Sequence, residues 1–90
     1  MVNSVVIKHN DTVATATEPL KPGEDGIYVL DGIICQVPIL EEIPIYHKFA
    51  VTDIHAGSPV YKYGEKIGIA TEEIARGAYV HIHNVRSERA

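Results

Sequence analysis

An eleven-residue pattern, Ala-x-x-acid-Ile-x-x-Gly-x-x-Val, starts at Ala50 and starts again 20 residues later at Ala70. A weaker echo reads Ala16-x-x-Pro19-Leu20-x-x-Gly23, and Ile43-Pro44-Ile45-Tyr46 has the form of a fourth copy with Tyr in place of Gly. Each copy suits a strand end, a turn pinned by one buried Ile or Leu, a Gly at positive φ, and a returning strand. Two clear copies are too few for a solenoid. The pattern therefore predicts a compact domain with internal pseudo-symmetry, whose Ile-x-x-Gly turns are scaffold because they carry almost no reactive groups.

The remaining segments read as short strands. Ser4-Val5-Val6-Ile7-Lys8 is a β-branched run closed by His9-Asn10-Asp11-Thr12, and Val13-Ala14-Thr15-Ala16-Thr17 follows it. Ile27-Tyr28-Val29-Leu30 and Ile33-Ile34-Cys35-Gln36-Val37 flank Asp31-Gly32, a two-residue hairpin signal in which both turn residues reach φ > 0. Pro38 sends the second arm to a sheet edge or out of the sheet. Further strands are expected at His47-Lys48-Phe49-Ala50-Val51, at Val60-Tyr61-Lys62-Tyr63, and at Ile67-Gly68-Ile69-Ala70 after a Gly64-Glu65-Lys66 turn. The last is Tyr79-Val80-His81-Ile82-His83. No window carries an apolar helical stripe, although Glu72-Glu73-Ile74-Ala75-Arg76 has room for one helical turn stopped by Gly77. The class is all-β with at most short helical turns: one domain over 1–85 and a polar tail over 86–90.

Ninety residues allow one domain, which buries roughly 60 to 65% of its unfolded surface and leaves room for a partner surface. With no Trp and one Phe, the core must be aliphatic with help from Tyr. The net charge of −4 and the lack of a basic cluster argue against nucleic acid. Cys35 is the single cysteine, so an internal disulfide is impossible, and its apolar surroundings read as an inert core position. The first twelve residues lack a secretory pattern, and no apolar run approaches the roughly 18 residues that span a bilayer. A cytoplasmic setting without membrane contact is expected.

The string Ile43-Pro44-x-x-His47-Lys48-x-Ala50-x-x-Asp53-Ile54-x-x-Gly57-x-x-Val60-x-Lys62-Tyr63-Gly64-x-x-Ile67-Gly68-x-Ala70, followed by Val80-His81-x-His83-Asn84, resembles the SAF domain of the altronate/galactarate dehydratase (UxaA) family. The resemblance is dense over 43–84 and loose over 1–42. It implies a β-clip fold and a cytoplasmic enzyme in which this domain is either the N-terminal part of a long dehydratase or a separate small subunit, as in sulfolactate sulfo-lyase. It further implies a large catalytic partner and a divalent metal, iron or manganese, in the assembled enzyme. Tyr46 stands where the family usually has Gly, which leaves the local loop shape and substrate fit open.

Strand alternation predicts the His81 and His83 imidazoles on one face, with Val80 and Ile82 on the other. Such a pair can share a metal with ligands from a partner, can supply one base and one hydrogen-bond donor, or can be simply solvated. The resemblance favours His81, His83 and His47 as catalytic groups, with His81 and His83 as shared metal ligands. Lys48 and Lys62 suit an anionic sugar acid and a developing enolate, or serve as solvated strand-end charges. Tyr63 either donates a hydrogen bond to substrate or packs its ring. Asn84 is expected to fix the turn after the last strand, orient a neighbouring His, or contact substrate. His9 and His55 fall outside the matching string and read as surface residues.

The expected function is the small subunit of a carbon–oxygen hydro-lyase acting on a sugar acid, with little or no activity without its large subunit. Alternatives are the small subunit of a sulfo-lyase acting on sulfolactate, a non-catalytic carbohydrate- or partner-binding module of the SAF type, and a structural lid. Self-association of the isolated chain is compatible with each.

Overall fold

The computed structural model describes residues 1–87, and among these there are nine short strands and no helix. The strands are β1 (Ser4–Val5), β2 (Val13–Ala16), β3 (Asp25–Leu30), β4 (Ile33–Pro38) and β5 (Lys48–Ala50). They continue with β6 (Pro59–Lys62), β7 (Glu65–Ala70), β8 (Tyr79–Val80) and β9 (Val85–Arg86). All pairings are antiparallel, in sheets ordered β1-β2-β5-β8, β3-β4 and β6-β7-β9. The all-β expectation holds. No helix among the described residues is long and apolar enough to cross a membrane.

The repeat organises the molecule, and its four copies form two reciprocal pairs. Leu20 bridges to Ile43, and Ile54 bridges to Ile74. Around the first bridge, Ala16 exchanges backbone hydrogen bonds with Tyr46 and His47, while Ile39 does the same with Gly23 and Glu24. Around the second, Ala50 pairs with Gly77 and Ala78, and Ala70 with Gly57 and Ser58. Gly23, Tyr46, Gly57 and Gly77 share the left-handed backbone region, at φ of 92°, 67°, 86° and 92°. Tyr46 thus keeps the glycine-type turn, and the loop has the same shape as its three counterparts.

Each pair of turns encloses a hairpin. The first clasps β3–β4 and the second clasps β6–β7, so the chain is two successive clips joined through β5. Both hairpins close through two residues at positive φ, Asp31-Gly32 as expected and Tyr63-Gly64 as a correction. The turn lies one residue earlier than the Gly64-Glu65-Lys66 reading, and Glu65 and Lys66 already belong to β7. The acid in the pattern also has a purpose. Asp53 Oδ1 accepts from Arg76 N–H at 2.8 Å, and Glu73 Oε2 accepts from Ala56 N–H at 2.8 Å, each acid tying down its partner turn. Because Ile74 is drawn into its bridge, 72–76 forms a turn rather than a helical one.

Each clip has its own core. Ala16, Leu20, Tyr28, Val37, Ile39, Ile43 and Phe49 form one cluster, while Ala50, Ile54, Val60, Ala70, Ile74 and Val80 form the other with Val13. Phe49 is fully buried against Gly26, where any Cβ would stand 2.4 Å from the ring. Cys35 is half-buried in β4, at the edge of the first core.

The chain end departs from expectation. Strand β8 stops at Val80 and residues 81–84 form a turn, after which β9 pairs Arg86 with Ile69 and Val85 with Ala70. The polar tail expected from residue 86 therefore begins with a strand residue, and its residues 88–90 lie outside the described residues. Asn84 explains the break. Its side chain accepts from His81 N–H at 3.0 Å and donates to Tyr79 O at 2.8 Å, satisfying backbone groups that a continuing strand would pair elsewhere.

Candidate functional site

The reactive groups gather where the two clips meet in the four-stranded sheet. β5 pairs with β8 in the register Lys48↔Val80 and Phe49↔Tyr79, which continues to place His47 across from His81. Their ring centroids are 4.8 Å apart. Strand β6 brings Lys62 to the same side, where Lys48, Lys62, His81 and Ser87 line a cleft of about 310 Å³ with Ile67, Ile82 and Val85. In a chain of net charge −4, this is a local concentration of cations.

Electrostatics follow from this crowding. Burial, and then the charge of Lys62, hold the Lys48 ammonium below the usual lysine range. Burial also lowers His81, helped by His47, Lys48 and His83, which favours its neutral imidazole. Lys62 Nζ lies 5.1 Å from the centroid of the Tyr63 ring, and the Tyr63 hydroxyl donates to Thr15 Oγ1 at 3.3 Å. Tyr63 is thus engaged with its own chain, at the hairpin tip.

His81 and His83 do not share a strand face, because both lie in the turn over 81–84. His81 lines the lysine cleft, whereas His83 lines a second depression with Glu41, Glu72 and Glu73. Among the described residues, no three His, Cys, Asp or Glu side chains converge as a metal-ligand set. Asn84 is buried and occupied with the turn, as its expected turn-fixing role requires. His9 and His55 are exposed, His9 paired with Asp31 and His55 Nδ1 at 2.9 Å from Glu73 Oε1.

Two residues escaped the sequence reading. Tyr79 stands among the imidazoles, its ring 5.7 Å from His47, stacked on His81 at 5.5 Å and tilted to His83 at 5.5 Å. Its hydroxyl lies 2.5 Å from His47 Nδ1. No local motif marks it; only the β5–β8 register does. The second is Asp11, a buried carboxylate that accepts from Ile7 and Lys8 N–H and, at 2.7 Å, from Gly64 N–H. It pins the hairpin carrying Lys62 to the N-terminal loop.

The model of the altronate/galactarate dehydratase SAF domain matches residues 2–88. This chain belongs to that family. The SAF domain is 47% identical over 51 residues to the altronate dehydratase of Escherichia coli (strain K12), a match covering 57% of this chain and 10% of that protein. It is 39% identical over 54 residues to (2R)-sulfolactate sulfo-lyase subunit alpha of Chromohalobacter salexigens, covering 60% of this chain and 57% of that one. Against the altronate dehydratase of Bacillus subtilis (strain 168), it is 28% identical over 97% of this chain and 17% of the relative. The SAF domain thus spans between a tenth and three-fifths of these relatives, which are hydro-lyases and sulfo-lyases by name.

Proposed function

We propose that this SAF domain is the small subunit of a cytoplasmic carbon–oxygen hydro-lyase of the altronate/galactarate type, working with a large catalytic chain. The observation that carries the reading is the cleft lined by Lys48, Lys62 and His81 in an otherwise acidic protein. Two ammonium groups suit the carboxylate of a sugar acid and the charge that accumulates on it when the α-proton leaves. A neutral His81 beside them is able to take that proton, and the β-hydroxyl departs as water once protonated. Ile67, Ile82 and Val85 supply an apolar part of the cleft that a covering protein surface would close to water, strengthening these charge interactions.

Among the described residues, the donor set is too small for a divalent ion. In the assembled enzyme, iron or manganese would draw most ligands from the large chain, with His81 or His83 at the margin, and would supply Lewis-acid stabilisation of the enolate. The open cleft supports a site completed by a further protein surface. A sulfo-lyase reading is favoured by one observation: the 39% identity over 54 residues to the sulfolactate sulfo-lyase alpha subunit of C. salexigens.

The test is co-purification with a large dehydratase-type chain, followed by assays on altronate, galactarate and sulfolactate. Lys48→Met and Lys62→Met are expected to raise KM at least about tenfold each, the loss of one charged contact. Unchanged kinetics in both variants, or full turnover by the chain without a partner, would defeat the proposal. Release of sulfite from sulfolactate without sugar-acid dehydration would select the second reading. Retained activity with Lys48, Lys62, His81 and His83 all substituted would mark a binding module or lid.

A further inference from the structure

We infer that Tyr79 is a positioning residue, whose phenol fixes His47 as a hydrogen-bond donor at Nε2. The main chain of Tyr79 is clamped from both sides: its N–H donates to Glu41 Oε1 at 2.7 Å, and its carbonyl accepts from Asn84 Nδ2 at 2.8 Å. Phe49, fully buried, lies directly across the sheet, and the Tyr79 ring packs against the first core. The ring is therefore a rigid post, with three imidazoles arranged around it at 5.5 to 5.7 Å. Its hydroxyl is directed at only one of them, 2.5 Å from His47 Nδ1.

Which proton lies between them follows from what each group needs. A half-buried phenol O–H requires an acceptor, and among the described residues the hydroxyl has His47 Nδ1 as its hydrogen-bond partner. The Nδ1 lone pair accepts, so the proton of neutral His47 resides on Nε2. In that tautomer His47 offers an N–H donor beside His81, whose ring centroid is 4.8 Å from its own, and it is not a base through Nε2. That assignment differs from an acid/base role for His47 and leaves proton removal to His81. It rests on reading this cluster as the anion site, but the measurement below needs no turnover and separates the two ideas.

Long-range 1H–15N spectra of the full chain at about pH 9, where free imidazoles are neutral, report the tautomer of each histidine. His47→Gln identifies the signals. The expected wild-type result is an Nε2–H His47 with a hydrogen-bonded Nδ1, and a through-bond correlation from the Tyr79 hydroxyl proton to that nitrogen. In Tyr79→Phe the correlation is lost and Nδ1 shifts to the position of a free acceptor nitrogen. An Nδ1–H tautomer in wild type, absence of the correlation, or unmoved His47 nitrogens in Tyr79→Phe would overturn the inference. If Tyr79→Phe fails to fold, the two wild-type observations still decide.

Discussion

At the scale of single residues, the four left-handed turns form a natural experiment. Gly57 and Gly77 have nearly the same φ, but a Cβ on Gly57 meets nothing within 4 Å while one on Gly77 would stand 2.0 Å from Pro38 O. Gly57→Ala should therefore cost only the strain of a left-handed L-residue, about 1 to 2 kcal/mol. Gly77→Ala adds an overpacking term of about 1 to 3 kcal/mol or more. Tyr46 already bears the strain and is exposed, so Tyr46→Gly should be neutral or stabilising by up to about 1 kcal/mol. Urea titrations at constant m give all three values. Asp11 supplies the acid-side test. Burial raises its pKa, but donation from Lys8, Gly64 and Ile7 N–H outweighs that and leaves it below the usual 3.8. Its contribution is complete above the unfolded value and is lost as pH falls through the lowered folded one. Between about pH 5 and pH 3 the wild-type urea midpoint should fall more steeply than that of Asp11→Asn, which lacks the carboxylate. Asp11 was hidden in sequence because a turn Asp looks the same whether it caps its own loop or one that arrives 53 residues later.

At the scale of elements, the reciprocal capping between turns gives a prediction with an internal control. Asp53 accepts from Arg76 N–H, so Asp53→Ala should cost about 0.5 to 1.5 kcal/mol and speed amide exchange at Arg76. Glu42 holds the equivalent place in the first clip, but its target would be Pro22, which has no N–H. Glu42→Ala should stay within about 0.5 kcal/mol of wild type. The turns and central strands were legible because their signals are local: Asp31-Gly32 demanded two positive φ angles, and each Ile-x-x-Gly unit announced its own turn. The final strand was misread because alternation through His81 and His83 competes with Asn84, whose amide captures two backbone groups and ends β8 early. That one side chain decides which way each imidazole faces. Strand β9 was missed since two residues of strand carry no periodicity.

At the scale of the whole molecule, the 20-residue spacing in the sequence was half of the answer. It compared the two turns of one clip, whereas the larger unit is turn, hairpin and turn, used twice. Comparing the clips shows where they have diverged. The first hairpin ends in Leu30, Asp31, Gly32 and Ile33, and the second ends in Lys62, Tyr63, Gly64 and Glu65. One scaffold thus presents a tip flanked by an aliphatic pair and a tip flanked by a Lys-Glu pair with an aromatic residue in its turn. Strand β5 is common property: it trails the first clip and leads the second, with Phe49 in one core and Ala50 in the other. Either clip closes on itself over a short stretch of chain, which ordinarily lets such a unit breathe by sub-global opening. The shared strand removes that freedom, since releasing it dissolves both cores together. Strand β2, with Val13 in the second core and Ala14 in the first, ties the clips in the same way, so the His47-Lys48 pair is mounted on the seam that both cores share.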